Sequence, residues 1–262
     1  MTLGMAWVRN LRSIRELVVT SDSRLSGGKF WDSNPKIMLL PRSDAVLSFA
    51  GDTHDAYPLM LQVYNAILMH GPALDRSMDL AHLKGHLVRV INKARSSVTN
   101  LPRGERGPVI ADATFMLSGY SWRQKRFRVW TLHYHKGAEE FTFRPTQPWR
   151  GQSGHTKEIA FVGDERVVKA AKSALVDRLR AKGKLTDGGL DMEPLEVLRD
   201  LLRSQDYSEI GGAPQVVKIY EHMNAHPFPV HWPDASGGLT VLGRPLMPYE
   251  AFDSKAIDPD AL

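Results

Sequence analysis

The chain has 262 residues, of which 42% are hydrophobic and 24% charged, a composition typical of a globular protein. It contains no cysteine, which excludes disulfides, thiolate metal ligands and a cysteine nucleophile. With 34 Lys and Arg against 29 Asp and Glu, the surface is mixed, and a solvated surface is favoured over a nucleic-acid interface. We find neither an apolar run of the roughly 20 residues that span a bilayer nor a basic-then-apolar leader, so we expect a cytoplasmic chain without membrane partners.

The first half of the chain predicts strands followed by a helix pair. Four apolar, strand-like runs lie at residues 3–8, 17–20, 37–40 and 45–49. The first two flank a short basic connection and predict a hairpin. Apolar residues at helical spacing then predict helices over 56–67 and 80–94, with Gly71-Pro72 ending the first.

The second half repeats this order. Strands are predicted at residues 113–122, 127–135, 140–144, 159–162, 216–220 and 239–242, and helices at 165–181 and 193–203. Because helices and strands do not alternate one by one, a doubly wound parallel sheet does not fit. The order fits an α+β fold of two antiparallel sheets stacked face to face, with a helix layer outside each. We expect one domain over residues 1–222, with 223–262 an extension packed on it.

Thr2 is the first candidate for chemistry, because an apolar strand begins directly after it. Methionine before a small residue is readily removed, which would leave Thr2 at the N-terminus and fix it at a sheet end. The hydroxyl of an N-terminal threonine can act as a nucleophile if its own α-amino group, with an ordinary pKa near about 8, accepts the proton. Many chains begin Met-Thr without any such role.

Asp22 and Lys36 could support this nucleophile. Asp22 follows the second strand of the predicted hairpin, which returns the chain to Thr2, and Lys36 enters the next strand. An ammonium near the amine would lower the pKa of that amine, and the carboxylate would hold the ammonium in place. Taken one at a time, Asp22 and Lys36 are each also compatible with a surface position beside a turn.

Gly51 lies where an apolar strand meets a helix, in the stretch Ser48-Phe49-Ala50-Gly51-Asp52. A glycine N–H can approach a ligand closely and stabilise the oxyanion of a tetrahedral intermediate. The alternative is a plain strand-to-helix turn with Asp52 or Thr53 as the N-cap.

Together these stretches resemble a known family. Thr2 before a strand, "VVTSDSR", "PKI" and "FAGDTHDA" are similar, in order and spacing, to the N-terminal signature of proteasome β subunits. They also resemble the peptidase subunit of the bacterial ATP-dependent two-component protease. Both are N-terminal nucleophile (Ntn) hydrolases, and the resemblance covers about the first 70 residues. It implies a four-layer αββα sandwich, the Ntn-hydrolase fold.

The resemblance also implies residue roles. Thr2 corresponds to the nucleophile, Asp22 and Lys36 to its supporting pair, and Gly51 to the oxyanion-hole glycine. Ser21 lies where the family's backbone lines the substrate cleft. In the Asp-x-x-Ser-Gly-Gly segment that steadies the amine, Asp206 and Ser208 are the candidates, from the stretch "QDYSEIGG".

The sequence departs from the family in the register of Asp206 and Ser208, in a longer hairpin turn at 9–16, in the extension after His222, and at two further places. "IAFVGDERVVKAA" has Asp164 where the family usually has serine after the glycine, and Ile210 directly precedes Gly211. Three hypotheses therefore stand, and the third and least favoured is a nucleic-acid-associated protein that uses its basic surface. The first is a threonine peptidase or amidohydrolase that needs no cofactor, acts on peptides or unfolded proteins, and forms a homo-oligomer with an ATPase as a possible partner. The second is a catalytically inactive relative used for assembly or binding.

Two further signals favour ordinary structure. His222, His226 and His231 are interrupted by prolines and lack matching carboxylates, which argues against a zinc site. The stretch 122–128 is basic and aromatic, and a solvated turn between two strands is favoured over contact with nucleic acid.

Overall fold

The structure, a computed structural model, describes residues 2–98, 112–146, 149–150, 156–186, 189–233 and 238–262. The strands of the first half are β1 Leu3–Asn10, β2 Arg15–Ser21, β3 Leu25–Ser26, β4 Phe30–Trp31, β5 Ile37–Leu39, β6 Ala45–Gly51, β7 Ala113–Ser121 and β8 Arg126–His135. Those of the second half are β9 Glu140–Pro145, β10 Trp149–Arg150, β11 Thr156–Lys157, β12 Ile159–Gly163, β13 Gln215–Tyr220, β14 Ala225–Phe228, β15 Val230–His231, β16 Leu239–Val241 and β17 Arg244–Pro245. The helices are α1 Thr53–Leu68, α2 Gly71–Leu74, α3 Leu80–Arg95, α4 Glu165–Ala181 and α5 Glu193–Ser204.

Two five-stranded antiparallel sheets form the body of the protein. The first sheet has the order β12-β1-β2-β13-β14, and the second has the order β5-β6-β7-β8-β9. The second sheet is built from strands that follow one another in the sequence. The first sheet is not, because β12 and β13 arrive from the second half of the chain and pair on either side of the β1–β2 hairpin.

Alternation along the strands distributes apolar side chains between separate cores. In β1, Met5 and Trp7 pack in a cluster with α4 and α5, whereas Ala6 packs in another cluster with residues of the second sheet such as Val46 and Met116. Successive strand residues point to opposite faces, so one strand contributes to both cores. A third cluster joins the second sheet to α1 and α3. The protein is therefore a mixed helix and strand structure whose two antiparallel sheets share one core.

Helix boundaries follow the capping residues in the sequence. Asp52 and Asp79 cap α1 and α3, each accepting a backbone N–H of the first turn. α1 ends at Leu68, as the Gly71-Pro72 stop predicts, although that dipeptide also begins the single turn α2. Within the described ranges, no helix is long and apolar enough to cross a membrane.

The expected boundary at residue 222 does not match the sheet. β14 lies beyond it and pairs with β13 as the last strand of the first sheet. The remaining extension forms the three-stranded sheet β15-β16-β17. Its end is held on α5, where the Arg203 guanidinium donates to both carboxylate oxygens of Asp260 at 2.6 and 2.8 Å.

Candidate active site

Thr2, Asp22 and Lys36 form a buried cluster, each at most 1% exposed. The Lys36 Nζ donates to Thr2 Oγ1 at 2.9 Å and to the two carboxylate oxygens of Asp22 at 2.9 and 3.0 Å. Charged side chains are almost never fully buried without a partner. The ammonium thus joins the candidate nucleophile to the carboxylate, as the sequence predicts.

The hairpin register explains how Asp22 reaches Thr2. Gly4 of β1 lies opposite Ser21 of β2, so the next residue, Asp22, returns to the start of β1. There the Leu3 N–H donates to Asp22 Oδ1 at 3.1 Å. Lys36 comes from the second sheet, because it directly precedes β5. The cluster therefore lies where one end of the first sheet meets one end of the second sheet.

Backbone donors complete the surroundings of Asp22. Oδ2 accepts the N–H of Arg24 at 3.1 Å and the N–H of Gly211 at 3.2 Å. Together with the Leu3 N–H and the Lys36 ammonium, these donors compensate the free energy of desolvating a carboxylate. Gly211 is a contact that the sequence analysis missed, since it is 189 residues away.

Burial changes the proton affinity of Lys36. Desolvation lowers the pKa of Lys36, the charge and hydrogen bond of Asp22 raise it, and the net pKa lies below the ordinary value. While protonated, the ammonium favours negative charge on Thr2 Oγ1 and disfavours a second positive charge nearby. The first effect favours loss of the Thr2 hydroxyl proton, and the second favours the neutral form of a nearby amine.

Asp164, the departure from the family pattern, has two structural contacts. Its backbone N–H donates to the Thr2 carbonyl at 3.1 Å. Its carboxylate caps α4 by accepting the N–H groups of Arg166 and Val167. Gly163 precedes it with φ +142°, and a Cβ there would lie 2.0 Å from the Thr2 carbonyl oxygen. The Gly-Asp pair therefore fixes the backbone of Thr2 at the start of α4.

Gly51 lies at the end of β6 with φ +112°, a conformation that side chains rarely adopt. A Cβ would lie 2.1 Å from the Asp112 carbonyl oxygen, which accepts the Asp52 N–H at 2.5 Å. These contacts require a glycine in the strand-to-helix turn, the alternative weighed from the sequence. The oxyanion role of Gly51 stays a prediction.

We expect the Gly51→Ala substitution to lower the free energy of unfolding by about 1–3 kcal/mol, because a β-carbon strains this backbone against Asp112. Urea unfolding followed by circular dichroism measures this change. Gly27→Ala is the matched control, since nothing lies within 4 Å of its added β-carbon. We expect that control to stay within about 0.5 kcal/mol of the wild type. Equal unfolding midpoints for the two variants would contradict the turn geometry.

Asp206 and Ser208, predicted to steady the amine, are not brought into the buried cluster. Both are exposed, and Ser208 Oγ lies 3.4 Å from the neighbouring Glu209 carboxylate. α5 ends at Ser204, and its C-cap residue Gln205 has a left-handed conformation with φ 57°, which turns the following residues outward. The backbone of Gly211, rather than either side chain, then reaches Asp22.

Arg24 connects this segment to the small β3–β4 hairpin. Its guanidinium donates to both carboxylate oxygens of Asp32 at 2.7 and 2.8 Å and to the Ser208 carbonyl at 3.3 Å. It also lies 4.4 Å from the centre of the Phe30 ring. Beside these residues is a pocket of about 850 Å³, lined also by Gly211. The pocket therefore extends to Gly211, whose backbone N–H donates to Asp22.

The histidine cluster considered from the sequence does not form a metal site. Across the ranges that the structure describes, no group of three or more His, Asp or Glu side chains is arranged to hold a metal ion. The His222 ring instead stacks on Tyr220, with 5.3 Å between ring centres.

Neither a protein-family model nor a curated protein sequence matches this chain significantly. The features that bear on function are therefore the buried Thr2–Lys36–Asp22 contacts and the resemblance of the first 70 residues.

Proposed function

We propose that the protein is a threonine peptidase or amidohydrolase of the proteasome-like Ntn group, with Thr2 as its N-terminal nucleophile after Met1 is removed. The observation that carries this proposal is the position of Lys36 Nζ, 2.9 Å from both Thr2 Oγ1 and an Asp22 carboxylate oxygen. A fully buried Lys–Asp pair is a weak device for stability alone, because desolvating both charges is costly. The contact of Lys36 with the Thr2 hydroxyl gives the Lys36–Asp22 pair a role in the reactivity of that hydroxyl.

In the proposed reaction, Thr2 Oγ1 attacks the carbonyl carbon of an amide. The α-amino group accepts the hydroxyl proton, directly or through one water, and then donates it to the departing amine. The Gly51 N–H would stabilise the oxyanion, and Lys36 would stabilise negative charge on Oγ1. Water attacks the resulting ester and releases the acid, which regenerates Thr2. No step of this chemistry requires a metal or an organic cofactor.

The fold supports the same proposal. Two antiparallel sheets share a core, and each shares a further core with one pair of longer helices, α1 and α3 on one side and α4 and α5 on the other. We interpret this as the four-layer αββα sandwich of Ntn hydrolases. By resemblance, the substrate is a peptide or an unfolded protein, and the working form is a homo-oligomer with an ATPase as a possible partner.

The second candidate function is a catalytically inactive relative that serves assembly or binding. Two observations favour it: Asp206 and Ser208 are exposed, and the Asp164 carboxylate is engaged in capping α4. The groups that the family uses to steady the amine are thus differently arranged here.

Two measurements on the native protein separate these functions. We expect the intact mass to show loss of Met1, and the protein to hydrolyse a mixed peptide pool, as followed by mass spectrometry. Loss of Met1 without any hydrolysis would favour the inactive relative. Retention of Met1 would leave the amine blocked and would contradict the catalytic proposal.

A further inference from the structure

Gln215 lies beside the Thr2–Lys36–Asp22 cluster and is completely buried at the start of β13. On one side, its Oε1 accepts the backbone N–H of Lys36 at 3.0 Å and that of Ile37 at 3.3 Å. These two N–H groups lie where the chain enters β5 of the second sheet, in the segment that includes Lys36 and its ammonium. The Gln215 side chain therefore holds the backbone of Lys36.

On its other side, the Gln215 amide faces the segment that carries the carboxylate. Its Nε2 lies 3.0 Å from the Asp22 carbonyl oxygen, 2.8 Å from the Asn34 carbonyl oxygen and 3.1 Å from Ser23 Oγ. Two amide hydrogens serve these acceptors. One side chain thus connects the backbone of Asp22 to the backbone of Lys36.

The position of Gln215 itself is fixed by the first sheet. It lies opposite Ser21 in the β2–β13 register, and its carbonyl accepts the Thr20 hydroxyl at 2.6 Å. Its amide therefore projects from a backbone that is anchored next to Asp22. A direct backbone bond, from the Asn34 N–H to the Ser23 carbonyl at 3.1 Å, joins the same two segments further from Lys36.

We propose that Gln215 is a positioning residue that sets the Lys36 ammonium between Thr2 Oγ1 and the Asp22 carboxylate. The inference rests on the proposed function, because it assigns Gln215 a role in the reactivity of Thr2. At this position the side chain must accept hydrogen bonds from two backbone N–H groups and donate hydrogen bonds to two backbone carbonyls. A side-chain amide can do both. Its neutrality leaves the charge balance of the Lys36–Asp22 pair unchanged.

The substitution Gln215→Glu tests this requirement with little change of shape. Its carboxylate can still accept the N–H groups of Lys36 and Ile37, but its second oxygen faces the carbonyls of Asp22 and Asn34 without a proton to donate. Protonation at lower pH restores one donor. The charged groups near it are Asp22 and Lys36, with the Arg24–Asp32 ion pair beyond them.

The experiment measures how fast Thr2 reacts with a peptide epoxyketone, whose two electrophilic carbons can capture the hydroxyl and the amine of one N-terminal threonine. We expect Gln215→Glu to slow labelling about 10- to 100-fold near neutral pH, since small misplacements of reacting groups have effects of this size. We also expect the ratio of variant to wild-type rate to rise as the pH falls. A structural role alone would not produce that pH dependence in a folded variant.

The control is Gln62→Glu, which makes the same chemical change on the exposed face of α1. We expect it to label at the wild-type rate at every pH. If the wild type labels at Thr2 and Gln215→Glu labels equally fast, the role of Gln215 is overturned while the proposed function stands. If the wild type does not label at all, the proposed function itself fails.

A third measurement covers the case in which Gln215→Glu does not fold. The wild-type Gln215 side-chain amide hydrogens, followed by NMR, should exchange with solvent only through global unfolding, because the amide is buried and bonded on both sides. Fast exchange would overturn the proposed connection between the two segments.

The shortened variant Gln215→Asn should fold and label slowly, and labelling at the wild-type rate would equally overturn the proposed connection.

Discussion

The Thr2→Ala substitution should abolish amide hydrolysis, with a loss of about 10³-fold or more, because it removes the proposed nucleophile. Alanine still permits removal of Met1 and still fits the start of β1, where the Thr2 carbonyl accepts the Asp164 N–H. The fold should therefore survive, with a small change in the urea midpoint from the lost contact to Lys36. Hydrolysis of a peptide pool by purified protein measures the effect.

Thr2→Ser is the matched variant for this prediction. It keeps the hydroxyl and the amine and loses only a methyl group, so we expect it to retain measurable hydrolysis. Residual activity from a contaminating peptidase would be equal in the alanine and serine variants. An alanine variant with the wild-type rate would exclude Thr2 as the nucleophile.

Lys36→Met should affect both stability and reactivity. Removing the ammonium leaves the Asp22 carboxylate buried without its partner, which lowers the free energy of unfolding by about 3–5 kcal/mol. It also removes the charge that favours negative charge on Thr2 Oγ1, and we expect labelling of Thr2 to slow about 10²- to 10³-fold. Urea unfolding and the labelling rate are the two measurements. The exposed Lys29→Met serves as the control for loss of one lysine.

The double variant Lys36→Met with Asp22→Asn separates the two effects. With both charges of the Lys36–Asp22 pair removed, it should be more stable than Lys36→Met alone, although the introduced amide accepts hydrogen bonds only through its oxygen, whereas both carboxylate oxygens of Asp22 accept them. Its Thr2 should stay as unreactive as in the single variant. A double variant that is no more stable than the single one would contradict the burial argument, and wild-type labelling in Lys36→Met would contradict the role of the ammonium.

Much of the candidate site could be predicted because it depends on short-range structure. A hairpin returns the chain to its starting point, so the residue after β2 must lie near the residue before β1. This places Asp22 beside Thr2 whatever the rest of the fold does. Lys36 could be proposed from its position directly before the next predicted strand, which is β5 of the second sheet.

The contacts that were missed depend on pairing between distant segments. Gly211 and Gln215 reach Asp22 only because β13 joins the far side of β2, across sequence separations of 189 and 193 residues. No local pattern gives that register. The one signal was a glutamine directly before the predicted strand 216–220, and a glutamine that is buried has its amide hydrogen-bonded.

The exposure of Asp206 and Ser208 and the pairing of β14 with β13 beyond residue 222 also have physical reasons. The spacing of residues in a motif does not show the left-handed conformation of Gln205. After that turn, the side chains of Asp206 and Ser208 are exposed. β14 was missed because it is short and contains Pro227. Proline removes a ladder donor and is tolerated at the edge of a sheet, where β14 lies.

Labelling of the native protein with the peptide epoxyketone, followed by mass spectrometry of the N-terminal peptide, tests the central claim most directly. The account predicts one adduct, on a peptide that begins at Thr2, absent from Thr2→Ala and strongly reduced in Lys36→Met. An unlabelled Thr2 in a folded protein that has lost Met1, or an adduct on another residue that persists in Thr2→Ala, would contradict it.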